Sequence, residues 1–303
     1  MIEYLKSAHP DTGKERVPKV HNWQQNLARG FFQTLGPVFP TWTGQLAYKI
    51  FGTPRWRAQH KRPDALILAA RAVDFPFQNE IIKCYEWGDA AASKTVLLAH
   101  GWESRGTALR MYVPDLIERG YKIIAFDALA HGDSTGERNN LLTNARTVLA
   151  LSRHYGGFYA AIAHSFGCSS IVYAMEFLDK TMSIERLVFL AVPPRSMKIV
   201  EGVFQMLALP KTAQKAFIKI IDDKSGHSIE QTDVANASET TKKNVSKLLL
   251  IHDEYDEVTN IEAAKRVEAT WPNALLLITS GYGHFRIAKN PDVIKRIIDF
   301  INE

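Results

Sequence analysis

A chain of 303 residues, 46% of them hydrophobic and 23% charged, can bury a sizeable core as one large domain or two small ones. Two cysteines, Cys84 and Cys168, are too few for a disulfide scaffold and suit a reducing compartment. No basic-then-apolar leader opens the chain and no apolar run is long enough to span a bilayer, so a soluble, cytoplasmic protein is expected.

The net charge of +5 is unevenly placed. Residues 1–63 hold ten Lys/Arg against three Asp/Glu, which leaves the rest of the chain net negative. The same segment is aromatic, with Trp23, Phe31, Phe32, Phe39, Trp42, Tyr48, Phe51 and Trp56. The simpler expectation is a helical extension that packs on the main domain and turns its charges to water. Peripheral membrane contact is the alternative. No nucleic-acid motif accompanies the charge, so no nucleic-acid partner is expected.

In chain order, residues 1–20 read as irregular. His21 to Phe51 reads as two helical pieces broken by Gly36-Pro37 and Phe39-Pro40, and Pro63-Asp64 can open a short helix through Ala72. Val73 to Gly88 reads as two short strands. From Lys94 strands and helices alternate. Thr95–Ala99, Tyr121–Phe126, Phe158–His164, Arg186–Val192, Lys247–Ile251 and Ala274–Thr279 read as buried strands. Helices are expected over Thr107–Arg119, Asn139–Tyr155, from Ser165 to about Asp179, over Ile261–Thr270 and over Pro291–Ile301. The expected fold class is α/β, a mostly parallel sheet with helices on both faces, whose functional residues gather on loops past the strands' carboxyl ends. Pro193–Lys243 interrupts the alternation with helical apolar spacing through Val200, Val203, Phe204, Leu207, Phe217, Ile218 and Ile221. It is too long for a connector and reads as a small helical cap over the site. The expected organisation is a helical N-terminal extension over 1–72 and a main domain over 73–303 with the cap inserted at about 193–243.

The stretch from Tyr159 to Ser170 is a strand, a sharp turn and a helix, with Ser165 at the turn between Ala163 and Gly167. Such a turn strains the serine backbone and exposes its hydroxyl at the sheet's carboxyl edge, beside the unpaired N–H groups of a helix start. Cys168, inside that helix, reads as a small packed residue. Other strand ends carry His100-Gly101-Trp102, the stretch from Asp127 to Ser134, the stretch from His252 to Val258, and Ser280–Phe285. A serine, an acid and a histidine thus follow one another in that order. Acyl transfer needs such a set, because a serine is a poor nucleophile until a base takes its proton and an acid orients that base. The candidate acids are Asp253, Glu254 and Asp256. The candidate bases are His100, His131, His164, His252 and His284. His284 stands out in a late glycine-flanked loop, and His164, directly before the serine on an alternating backbone, should point away from it.

These residues resemble the α/β-hydrolase superfamily, and more narrowly its bacterial esterase- and lipase-like serine hydrolases, from Val73 to the C-terminus. His100-Gly101-Trp102 is similar to the family's His-Gly-x loop and Asp127–Ser134 to its Asp-x-x-Gly-His-Gly-x-Ser turn. Ala163–Gly167 matches the nucleophile elbow, Asp256-Glu257-Val258 the acid loop and Gly283-His284 the histidine loop. Ala130 and Ala163 stand where the family pattern has glycine, and Phe51–Arg55 resembles the lead-in of some bacterial members. The resemblance implies Ser165 as nucleophile, His284 as base and then acid, Asp256 as its orienting partner, and the Trp102 and Phe166 N–H groups as oxyanion hole. It implies a serine esterase. No His/Cys spacing suggests a metal site and no glycine-rich dinucleotide loop is present, so neither metal nor cofactor is expected, and the apolar positions of the cap suggest a small ester-like substrate with an apolar part. The same triad could serve a thioester, a lactone or a carbon–carbon bond, and a non-catalytic binding module is the alternative from another class. Oligomeric state is left open.

Overall fold

Strict alternation along neighbouring strands sorts the core of this protein into two layers. In a computed structural model, which describes residues 2–5, 22–59 and 62–303, Leu97, Ala161, Ala163, Leu187, Phe189, Leu248, Leu250 and Leu276 pack on one face of a central sheet. Their chain neighbours Val96, Leu98, Ala160, Ile162, Val188, Leu190, Leu249 and Leu277 pack on the other. Successive side chains on a strand point to opposite faces, so a continuous apolar run requires cover on both.

Among the described residues, nine strands form this sheet: β1 (Ile2–Leu5), β2 (Arg71–Phe77), β3 (Glu80–Trp87), β4 (Thr95–Ala99), β5 (Lys122–Phe126), β6 (Ala160–His164), β7 (Ile184–Leu190), β8 (Val245–Asp253) and β9 (Ala274–Thr279). Their order is β1-β9-β8-β7-β6-β4-β5-β3-β2. Pairings from β1 to β5 across the sheet are parallel, while β3 pairs antiparallel with both β5 and β2. Ile2–Leu5, expected to be irregular, extends the sheet along β9, since any extended segment with free backbone groups can pair at an open edge. The remainder of the stretch expected to be irregular, residues 6–20, lies outside the described residues.

Helices Leu141–His154, Phe166–Tyr173 and Glu262–Thr270 supply the first layer through residues such as Val148, Ile171 and Val267. The second layer is closed by Val113–Glu118 and Pro291–Asn302. The latter buries Val293, Ile294, Ile297, Ile298 and Ile301 along one stripe, and its N-cap Asn290 accepts hydrogen bonds from Asp292 and Val293 N–H. The helix expected over Thr107–Arg119 begins as a 3₁₀ turn, Gly106–Tyr112, and the one after Ser165 ends in a π turn, Ala174–Leu178. The short helix expected from Pro63 stops at Leu68, and β2 begins at Arg71.

The chain divides into two compact units. One holds the whole sheet, with Pro54–Pro193 and Val234–Glu303. The other joins the N-terminal helices Asn22–Leu35 and Pro40–Phe51 to the inserted helices Ser196–Leu207 and Lys211–Ser225. This second unit has its own core, in which Phe32 and Ala47 meet Val200, Phe204, Leu207, Ala213 and Phe217. Gly44 lets the helices approach closely, because a Cβ there would lie 2.9 Å from Ala216 Cβ.

Candidate active site

All six parallel strands from β4 to β9 end at the same edge of the sheet, and that edge collects the polar loops. Ser165 follows β6 and starts helix Phe166–Tyr173 with φ of 49° and ψ of −111°, a left-handed conformation costly for any residue with a Cβ. Its N–H donates to Leu190 O at 2.9 Å, which fixes the turn against β7. Gly167 is required, because a Cβ there would come within 2.5 Å of Ala99 O. Ala163 fits fully buried in the same layer as that helix, so alanine serves where the family pattern has glycine. Cys168 is buried with its thiol aimed at Ala163 O and Leu190 O, and burial pushes that thiol far above its ordinary range. It packs and does not ionise.

The loop after β4 passes directly beside the serine. A Cβ on Gly101 would lie 2.6 Å from His164 Nδ1 and 3.4 Å from Ser165 Cβ, so only glycine allows this approach. The Trp102 ring stands edge-on to Phe166 at 5.4 Å and to His131 at 4.8 Å. Among the described residues, the Trp102 N–H donates to no backbone carbonyl, and the Phe166 N–H, in the first turn of its helix, has no intrahelical acceptor. Glu103, at φ of 56°, is held by a two-pronged pairing with Arg55 at 2.8–2.9 Å and by the Arg55 N–H at 2.7 Å.

The Asp127–Ser134 turn is a scaffold. The buried Asp127 carboxylate accepts from Gly106 N at 2.6 Å, Asp133 N at 2.7 Å and Tyr85 Oη at 3.0 Å, with Arg105 Nη2 at 3.8 Å. Gly132 has positive φ and its Cβ would overlap that carboxylate, so it cannot be replaced without moving the turn. Ala130 adopts φ of 63°, an alanine bearing the strain that glycine would avoid. His100 closes the join: its Nδ1–H donates to Gly101 O at 2.6 Å and its Nε2 accepts from Ala128 N at 3.0 Å. Arg57 donates to Ser134 O at 2.8 Å and also to Gly136 O.

Past β8 and β9 the acid and the histidine meet. His284 Nδ1 lies 2.8 Å from Asp256 Oδ2, and both side chains are almost completely buried. The other donors to Asp256 are Val258 N at 2.8 Å, Thr259 N at 2.7 Å and Thr259 Oγ1 at 2.9 Å. Burial pushes the Asp256 carboxyl up, but the hydrogen bond and charge of His284, the Thr259 N–H and His252 together leave it below the ordinary carboxylate value. Asp256 is therefore ionised and only accepts. His284 must then carry its proton on Nδ1, which makes Nε2 the acceptor nitrogen of the ring. Asp253 is fully buried but serves elsewhere, accepting from Tyr255 N, Thr279 Oγ1, Gly281 N and Tyr282 N. It fastens the histidine loop to β8. Glu254 is exposed.

His164 joins the two halves. Its Nε2–H donates to the His284 carbonyl oxygen at 2.8 Å and its ring sits 4.7 Å from the His284 ring. Ser165 and His284 are thereby linked through one buried residue, and the same ring borders Gly101. The remaining candidate bases have other duties: His131 Nδ1–H donates to Leu129 O at 2.8 Å, and His252 Nε2–H to Thr259 O at 2.9 Å. Thr259, which feeds two donors to the acid, and Arg55 and Arg57, which hold two of the loops, were not singled out from the sequence. The arginines lie in or next to the lead-in that the resemblance flagged, whereas nothing in the sequence marks Thr259. No group of three or more His, Cys, Asp or Glu among the described residues is arranged to hold a metal ion.

Three of these imidazoles make the protein acid-sensitive. Burial pushes His100 and His131 down to about 4, and burial with the nearby charge of His284 pushes His164 down to about 3. In the unfolded chain each titrates near 6.5, so below that pH the unfolded state binds more protons. Stability therefore falls from about pH 6.5 toward 4, by on the order of 6 kcal/mol at pH 5 if about 2 kcal/mol comes from each ring. Asp256 acts in a lower window, since its contribution is lost only as pH falls below the ordinary carboxylate value. Calorimetry should show Tm falling by roughly 10 °C between about pH 7.5 and 5. A flat Tm would mean that the imidazoles are charged in the fold.

Comparison with known proteins agrees with this architecture. Residues 96–232 match the model of the alpha/beta hydrolase family, and residues 225–303 match that of TAP-like proteins. No curated protein matches the chain at the sequence level. Among solved structures, an esterase of Pyrococcus furiosus is 20% identical with a TM-score of 0.57, covering 83% of this chain and 97% of its own. A predicted CIB-like hydrolase from Thermoplasma acidophilum is 14% identical with a TM-score of 0.56, over 78% of this chain and 99% of its own. An esterase from Rhodococcus is 17% identical with a TM-score of 0.55, again over 78% and 99%. The strand order, the strained serine after β6 and these matches together place the chain in the α/β-hydrolase superfamily.

Proposed function

We propose that this protein is a serine hydrolase that cleaves a carboxylic ester through an acyl-enzyme. The observation that carries the reading is the buried Asp256–His284 pair at 2.8 Å, on the same sheet edge that holds Ser165 at positive φ.

In this mechanism His284 Nε2 takes the proton of Ser165 Oγ as the oxygen attacks the ester carbonyl. The imidazolium that forms donates through Nδ1 to Asp256, whose charge is already fixed by two backbone N–H groups and the Thr259 hydroxyl. The carbonyl oxygen becomes an oxyanion and is received by the N–H groups of Trp102 and Phe166. Each such donor is worth roughly 10²–10³ in rate. His284 then gives its proton to the leaving alkoxide, and the alcohol departs. A water enters, loses a proton to the same nitrogen and releases the acid from Ser165. Proton count and charge close over the cycle with no other reactant.

A fluorophosphonate probe, with mass mapping of the labelled peptide, tests this directly. It reports an activated serine whatever the natural substrate is. Label on Ser165, absent from Ser165→Ala, is the expected result, after which a panel of esters and thioesters graded by acyl length sorts the substrate class. A folded sample that takes no label would remove the hydrolase reading and leave a binding module.

A further inference from the structure

Six large apolar side chains stand in water on one short stretch of the helical unit. Trp23, Leu27 and Phe31 project from Asn22–Leu35 at intervals of four, Val38 and Phe39 occupy the connection, and Trp42 lies on Pro40–Phe51. Trp23, Leu27, Phe39 and Trp42 are each at least 50% exposed. The Phe31 ring lies 5.8 Å from Trp42 and 5.4 Å from Phe32, which is buried in the unit's core. The exposed rings of the two helices thus join, and the core beneath holds them in place. Single exposed apolar residues are ordinary, but a joined set rich in Trp and Phe marks a contact surface.

Charge identifies the occupant. From Arg16 to Pro63 the sequence has no Asp or Glu, and within the two helices Arg29 and Lys49 are the charged residues. Arg29 donates to Gln205 O at 2.9 Å, a carbonyl and not a carboxylate, and Lys49 is exposed. A second copy pairing through this surface would bring equal positive charges together, because a two-fold contact presents the same patch from both sides. An anionic phospholipid surface matches both features. Indole and phenyl rings favour the headgroup boundary, and each nearby cation adds attraction to acidic headgroups. No described helix is long and apolar enough to cross a membrane, so the helices would lie in the interface plane.

We propose that this face docks the protein peripherally on anionic phospholipid membranes. The proposal is independent of the ester reading, and it is tested without a substrate. Full-length protein is sedimented with vesicles of phosphatidylcholine alone or mixed with phosphatidylglycerol, at low and high salt. The expected result is binding to the anionic vesicles, weakened by salt, with a blue shift of tryptophan fluorescence. Trp23→Ser with Trp42→Ser should lower partitioning by roughly tenfold or more per ring. Lys49→Glu, a change at an exposed position that leaves the core intact, should weaken binding to anionic vesicles at low salt, and an unchanged thermal melt shows each variant folded. Wild-type protein left in the supernatant at low salt overturns the proposal. So does equal binding to neutral vesicles, binding untouched by the ring substitutions in folded protein, or light scattering that finds a wild-type dimer and a monomeric ring variant.

Discussion

Ser165→Ala is expected to lower kcat on the best ester by roughly five to six orders of magnitude with KM little changed. The loss is confined to kcat because the hydroxyl is removed while the surfaces that hold substrate are left alone. Alanine keeps the Cβ, so the turn at φ of 49° and the N–H bond to Leu190 O persist, and the fold should melt where the wild type does. What remains is water attack assisted by the oxyanion donors and His284, a residual on the order of 10³–10⁴ over the uncatalysed reaction. Ser165→Cys gives the contrasting case, since it restores a nucleophile in the same place and should take up thiol-directed alkylating agents. A Ser165→Ala protein that keeps more than about a hundredth of wild-type turnover would place the nucleophile elsewhere. Cys168, buried with its thiol held neutral, could not fill that role.

How much of this was legible beforehand follows from the range over which each residue acts. The strands were readable because an apolar run of five to seven residues bounded by turn residues has few other uses. The alternation that divides Leu97 from Leu98 between two layers is written in the chain itself. Ser165 was readable for the same local reason, being one strained turn with small residues two positions away. Ile2–Leu5 was not readable as a strand, because its order comes from pairing with β9 more than two hundred residues later. Nor could the sequence display that Phe32 and Ala47 share a core with Phe204 and Phe217. Each helical stretch shows an apolar stripe, but a stripe does not name its partner.

The choice among several acids and histidines was the least local question. Position relative to the family pattern singled out Asp256 and His284, yet the physical reason lies in what surrounds each group. Asp253 is as buried as Asp256, but its four donors belong to the backbone and to Thr279, so no capacity is left over for an imidazole. His100, His131, His164 and His252 each spend a ring N–H on a backbone carbonyl. His164 was expected to point away from the serine. Its ring lies on the His284 carbonyl, which makes it the link between the elbow and the histidine loop. Such a role depends on a carbonyl 120 residues distant and leaves no trace in local pattern.

Asp256→Asn should be nearly as damaging as loss of the base itself, lowering kcat by about 10⁴ while the protein stays folded. The reason is the direction of each hydrogen bond. Asp256 Oδ1 faces the N–H groups of Val258 and Thr259, which can only donate, so the asparagine oxygen must take that place. The amide NH₂ is then forced toward His284 Nδ1, at the position where Oδ2 accepted at 2.8 Å. Nδ1 can meet it only as a lone pair. The imidazole proton moves to Nε2, and the nitrogen that should take the serine proton no longer can. Stationary kinetics should therefore show a fall in kcat with little change in KM. Asp253→Asn supplies the comparison. That carboxylate holds the histidine loop without touching the imidazole, and its replacement should cost about 1–3 kcal/mol of stability with a far smaller loss of kcat. If instead Asp253→Asn abolishes turnover and Asp256→Asn preserves it, the acid of this site has been misassigned, and the tautomer of His284 is governed from β8 and not from the loop beyond it.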